Sequence, residues 1–193
     1  MQKREFLAKS VGASAGLALL LAGCTTTPMS SQPEDKVAKR QRIDDDVNAT
    51  LDRLYSTVTG AHELAGKARG MLVFPAVLAA GFVVGGEYGE GALRVGGKTV
   101  DYYSTVTGSF GFQIGAQSKA IIFLFMTEEA LSKFRSSEGW TAGVDASVAV
   151  VEIGANGAID LNTATKPVNV IVMTNKGLMA NLSVEGTKVT KLK

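Results

Sequence analysis

Residues Ala92 to Thr99 read ALRVGGKT. A small residue, four free positions and then Gly-Lys-Thr satisfy the relaxed pattern of a phosphate-binding loop, which would imply a nucleotide-binding α/β domain. A working loop of that kind needs a buried strand before it and a helix starting at the Lys-Thr, so that backbone amides and the helix N-terminus face the phosphates. Thr99 instead opens Thr-Val-Asp-Tyr-Tyr-Ser-Thr-Val, whose β-branched and aromatic side chains favour a strand. Gly96-Gly97 then reads as a two-residue hairpin turn, where glycine supplies the positive φ angles. The spacing predicts a hairpin joining residues 92–95 to 99–106, and no nucleotide site.

Strand signals continue on both sides of this hairpin. Short apolar or alternating runs separated by glycine mark candidate strands at 71–74, 81–84, 92–95, 99–106, 110–115, 120–126, 144–153, 158–162, 168–174, 178–184 and 187–192. Asn156-Gly157 and Asn175-Lys176-Gly177 are further turn signals. The glycines of GFVVGGEYGEG, residues 81–91, do not follow the dinucleotide fingerprint. In strands they mark bulges, bends or close backbone approach, either to a ligand or to another strand.

Upstream, Ile43, Val47, Leu51, Leu54, Val58, Ala61, Ala65 and Ala68 recur at steps of three and four, predicting an amphipathic helix whose second half is weakened by Gly60 and Gly66. Its mixed-to-acidic polar face favours packing on the sheet over lying in a membrane surface. Thr127 is placed to cap a short helix reaching Ser136, with Glu128 and Glu129 in the first turn. YSTVTG occurs at Tyr55 and again at Tyr103, once in the helical stripe and once in a strand, so the copies are unrelated in structure. The expected fold is α+β: an N-terminal amphipathic helix packed on a mostly antiparallel, glycine-rich sheet or barrel-like core, with a short additional helix.

The first residues have a different composition. Lys3 and Arg4 precede an apolar run from Val11 to Leu21, as in a secretory signal peptide, and the run ends in Leu21-Ala22-Gly23-Cys24, the bacterial lipobox. Cys24, the single cysteine, is the expected lipidation site and first residue after cleavage, and two or more acyl chains such as palmitate give stable anchoring. Thr25 after it, in place of Asp, favours the outer membrane facing the periplasm; Lys3-Arg4 leaves the Sec and twin-arginine routes both open. The expected organisation is a signal peptide at 1–23, a Thr-, Ser- and Pro-rich tether at 24–35, and a folded domain at 36–193.

Cleavage also removes the basic surplus. The full chain holds 20 Lys and Arg against 18 Asp and Glu; the leader holds Lys3, Arg4, Lys9 and Glu5, leaving 20 − 3 = 17 against 18 − 1 = 17. Nucleic acid therefore loses its electrostatic support as a partner. His62 is the single histidine and has no nucleophile motif nearby, and Asp44-Asp45-Asp46 lacks the spacing of a calcium loop and reads as a solvated helix start. We expect no enzyme, no cofactor and no metal site. Trp140 is read as a packing or interface residue, with contact to lipid headgroups as the alternative.

KARGMLVFPAV (67–77), AGFVVGGEYGEGAL (80–93), YYSTVTGSFGFQIGAQSKAIIFLFMT (102–127), GWTAGVDASVAV (139–150) and TNKGLMANLSVEGTKV (174–189) together resemble the SYLF domain family. Eukaryotic members of that family are phosphoinositide-binding domains at membranes, some linked to actin, and bacterial members look like exported lipoproteins. The resemblance implies binding of anionic lipid headgroups at the cell envelope, with a basic N-terminal segment at the membrane. Here that segment offers Lys36, Lys39, Arg40 and Arg42, followed by Lys67 and Arg69; Lys98 at the hairpin edge is a further candidate. The alternative is a structural envelope protein whose sheet docks another protein without a lipid ligand.

Overall fold

The computed structural model describes residues 33–81, 84–110, 118–151, 157–159, 164, 166–174, 177–178 and 184–193. The leader, Cys24, the tether up to residue 32, Asn156 and Asn175-Lys176 lie outside the described residues, as do most of the candidate strands 110–115, 158–162 and 178–184.

Helix α1 (Pro33–Thr57) starts at a proline, which suits a first helical position because its missing N–H would be unpaired there anyway. It buries Ile43, Val47, Leu51, Leu54 and Val58 at its end, the stripe that the periodicity predicts. The helix does not run on to Ala68. Gly60 has φ +86°, in the left-handed region, and a separate short helix α2 (Ala61–Lys67) follows it. At the break the backbone pairs elsewhere: the Thr59 N–H donates to the Gly157 carbonyl at 3.1 Å, and the Ile159 N–H to the Thr59 carbonyl at 3.0 Å.

The strands are β1 (Gly70–Gly81), β2 (Val84–Val95), β3 (Lys98–Phe110), β4 (Ser118–Phe125), β5 (Gly139–Thr141), β6 (Val148–Val150), β7 (Val168–Thr174), β8 (Gly177–Leu178) and β9 (Lys188–Lys191). A third helix, α3 (Glu128–Ser136), follows β4 and is capped by Thr127, whose hydroxyl accepts from the Ala130 N–H. Strand order is β5-β9-β3-β2-β1-β4-β7-β6, with β8 on β7. Every described pairing of these strands is antiparallel except β6 with β7. The fold is α+β, as the sequence predicts.

Two expected strands are corrected. Gly81 and Val84 do not share one strand: β1 ends at Gly81, β2 begins at Val84, and Gly81 pairs with Gly85, while residues 82–83 lie outside the described residues. Among the described residues of the run 144–153, Val148–Val150 are a strand; Val144 lies in a turn held by the Thr141 carbonyl, which accepts from the N–H groups of Val144 and Asp145, and residues 152–153 lie outside the described residues.

The central hairpin is as expected. Val95 pairs with Lys98 across Gly96 (φ +58°) and Gly97 (φ +78°), and Thr99 continues β3. A nucleotide-binding helix is thereby excluded, because β3 occupies its place.

Each face of the sheet carries a core. Along β4, Ile121, Phe123 and Phe125 enter one core and Ala120, Ile122 and Leu124 the other, which is why AIIFLF is a continuous apolar run with no alternation. The second core is roofed by α1 and α2; the first holds α3 and Trp140. Trp140 on β5 and Phe123 on β4 are five strand steps apart, about 24 Å in a flat sheet. Their rings are 5.6 Å apart, nearly perpendicular, so the sheet curls around the first core. Trp140 is 2% exposed, which decides between its two readings in favour of packing.

Pro75 sits mid-strand in β1, where it cannot donate a ladder hydrogen bond. The pairing accommodates it with a bulge: the four β1 residues Val73 to Ala76 span only the three residues Ala92 to Glu90 on β2, and the β4 side shifts between Phe74 and Val77. The bulge brings β1 close to β2. A Cβ on Gly91 would stand 2.1 Å from the Val73 carbonyl oxygen, and one on Gly89 2.8 Å from that of Ala76. These two glycines thus meet a strand, not a ligand.

Candidate functional site

The basic start of α1 docks on the sheet through polar contacts. Lys39 forms an ion pair with Glu90 of β2 at 2.7 Å, and the Tyr88 hydroxyl donates to the same carboxylate. The Arg40 guanidinium lies 5.3 Å from the centre of the Tyr102 ring. Arg42 donates to the Ala38 carbonyl within its own helix, and the side chain of Lys36 is exposed.

One turn further on, Asp44 is not part of a solvated cluster. Its carboxylate accepts from the Thr99 and Tyr102 hydroxyls, both at 2.6 Å, while an Arg94 nitrogen stands 3.8 Å away and donates to Asn48 at 2.7 Å. Burial, and then the Asp44 hydrogen bond and charge, push the Tyr102 hydroxyl up to about 12. Asp45 and Asp46 remain exposed, but they lie in mid-helix: α1 begins at Pro33, which corrects the expected helix start at Asp44-Asp45-Asp46. The difference comes from direction: Asp44 follows the buried Ile43 around the edge of the stripe and reaches β3, whereas its two neighbours point away.

The other predicted cations lie elsewhere. Lys67 pairs with Glu63 at 2.7 Å on α2, holding the Glu63 carboxyl below its ordinary range, and Arg69 enters β1 with its backbone N–H donated to Phe125. Arg69 stands one residue before β1, roughly seven residues of strand, or about 23 Å, from the Ala76–Glu90 pair that Lys39 reaches. Lys98 is exposed, and its register partner Val95 packs on the α3 side of the sheet. Lys98 therefore lies on the face opposite α1. Lys36, Lys39, Arg40 and Arg42 share one helix, while Lys67 with Arg69 and Lys98 form two further, separate places. Cys24 lies outside the described residues.

Inside the curl two polar pairs are formed. Lys119 of β4 reaches both Glu87 oxygens, at 2.7 and 3.0 Å, across β1; Glu87 is 7% exposed. Thr107 donates to Thr187 at 3.0 Å, and the buried Thr105 hydroxyl has no hydrogen-bond partner. His62 is exposed and lies edge-on to Tyr55, which is packing. Among the described residues no cluster of His, Cys, Asp and Glu is placed to hold a metal ion. No described helix is long and apolar enough to cross a membrane, which says nothing of strands.

Residues 106–193, from the second half of β3 to the last residue, match the family model Ysc84, described as Las17-binding protein actin regulator. This stretch is similar to the SYLF family. The SYLF match takes in the aromatic core around Phe123, Phe134 and Trp140 and the strands β4 to β9, and it bears out the resemblance carried by the residues there. It supports a SYLF-type role of the general kind, lipid-binding or actin-regulator-like. No curated protein matches the chain. The SYLF match begins after α1, β1 and β2, so the basic helix start and the Asp44 contacts belong to the part of the chain that it leaves out.

Sequence reasoning missed Asp44 and the Glu87–Lys119 pair as connected groups. The signal available was small: an Asp directly after an apolar stripe residue, and a lone Lys heading the apolar run of β4.

Proposed function

We propose that the chain is an exported, lipid-anchored envelope lipoprotein of the outer membrane, whose SYLF-type domain engages anionic lipid headgroups and performs no catalysis. The observation that carries the reading is the lipobox Leu21-Ala22-Gly23-Cys24 followed, after a short tether, by a helix whose first turns expose Lys36, Lys39, Arg40 and Arg42. An acylated cysteine holds the helix start near the bilayer, and cations close to an anionic surface each add about 1 kcal/mol of attraction. Lys36 and Arg42 are the cations freest to do so, because Lys39 is engaged with Glu90 and Arg40 with Tyr102.

Mass spectrometry of the N-terminal peptide tests acylation at Cys24. Flotation of the full chain with phosphatidylglycerol vesicles, compared with phosphatidylcholine vesicles at low and high salt, tests headgroup binding. The expected result is a Cys24-linked diacylglycerol and salt-sensitive preference for the anionic vesicles. An unmodified Cys24, or equal flotation with both lipids, overturns the corresponding half.

A further inference from the structure

Three large apolar side chains stand exposed side by side on the sheet. Leu78 pairs with Tyr88, and Tyr88 pairs with Val106, so β1, β2 and β3 place them in one row; Val106 in turn pairs with Lys188 of β9. They are 54%, 49% and 52% exposed. Antiparallel partners share a face at about 5 Å, so the row is a continuous patch.

The row lies on the face that α1 covers, just beyond the cover. Further along the strands α1 packs over Ala92 and holds Tyr102; its last contact toward the row is Lys39 with Glu90, two residues from Tyr88. On the other side of Tyr88 the next register pair on this face is Gly86 with Gly108, where an added Cβ would meet nothing closer than 3.8 Å. These glycines, unlike Gly89 and Gly91, are not demanded by close packing, and they leave the Tyr88 ring unshielded.

We infer that the row Leu78–Tyr88–Val106, ending in Lys188, is the surface that seats against an anionic bilayer. The inference rests on the anchored reading above and names the contact face within it. A tyrosine ring with a wetted polar tip suits the membrane–water interface, and here the hydroxyl is tied to Glu90 at the patch edge. Charge agrees: Lys188 closes the row, Lys36 and Arg40 stand on the neighbouring helix, and Glu90 is offset by Lys39. Reach agrees too. Nine residues from Cys24 to Pro33 span at most roughly 30 Å, and the row is about 7 Å along the strand from the Lys39 contact.

The test uses the full chain reconstituted in phosphatidylglycerol-containing vesicles with and without lipids brominated near the headgroup. Val106→Trp, and independently Tyr88→Trp, supply a reporter; the parent contributes buried Trp140 alone, and Val144→Trp is the exposed control. Bromine is expected to reduce the added emission of the row reporters more than twofold and to leave the parent and the control unchanged. Flotation of the Cys24→Ser chain is followed in parallel. Quenching of the row reporters on the anchored chain supports the inference. An anchored chain whose row reporters are unquenched, including one whose row crosslinks to a second copy or to a protein, overturns it and leaves the anchor standing. A Cys24→Ser chain that floats and is quenched like the parent overturns the anchor while supporting the row. Loss of flotation in both chains overturns both.

Discussion

Asp44 on α1 and Tyr102 on β3 are joined by a 2.6 Å hydrogen bond across 58 residues of sequence. With Thr99 donating to the other Asp44 oxygen, this carboxylate fixes where the helix lies on the sheet. Asp44→Ala is expected to lower unfolding free energy by about 1–3 kcal/mol, since hydrogen bonds to a charged group are lost and two hydroxyls are left without it. Asp45→Ala and Asp46→Ala should stay within about 0.5 kcal/mol. Urea denaturation followed by circular dichroism separates the three.

All four tyrosines hold their protons more tightly than in a free chain. Burial first, and then nearby carboxylates, push Tyr88, Tyr102 and Tyr103 up to about 12, and Tyr55 is raised as well. A folded-state value above the unfolded 10 stabilises the fold fully below pH 10, and the contribution is lost as pH rises from there through 12. Tyrosinate absorbance is therefore expected to stay low in the native chain at pH 10.5, and to appear at once when the same sample is unfolded in urea.

The glycines of β2 and β3 should differ sharply. Gly91→Ala puts a methyl group 2.1 Å from the Val73 carbonyl oxygen, which neither strand can yield without losing the ladder at the Pro75 bulge. A loss of about 3 kcal/mol or more is expected, at or above the usual range for overpacking. Gly108→Ala, which meets open space within a strand, should be neutral or slightly stabilising in a thermal melt.

Glu87 and Lys119 form a pair with side chains 8% and 14% exposed. Lys119→Met alone leaves a buried carboxylate and should cost about 3–5 kcal/mol, whereas Glu87→Leu combined with Lys119→Met should recover most of that loss. A double-mutant cycle by chemical denaturation reads the difference.

Much of the fold was legible because local chemistry and tertiary context agreed. The stripe from Ile43 to Val58, the Thr127 cap and the Gly96-Gly97 turn each carry their own physical reason within a few residues, and each is found in place. Legibility failed where the reason is remote. Gly81 and Val84 read as one strand because each is a strand end, Gly81 closing β1 and Val84 opening β2. The run 144–153 alternates well, yet Asp145 binds back to the Thr141 N–H at 2.6 Å and makes a turn of its first residues. The candidate cations were readable as residue types, but not as a set: register and helix direction send Lys98 to one face and Lys39 to the other.

By itself the sequence determined most element types and the hairpin that removes the nucleotide reading, because periodicity, β-branching and glycine conformation act over a few residues. Only the tertiary structure decided which side chains meet. The extra residue in β3 between Asp101 and Thr99 shifts the hairpin register by one, so that Tyr88 faces Val106 and not Thr105. A one-residue shift of that kind moves a side chain to the other face of a sheet, and it arises from pairing between strands, which no local pattern encodes.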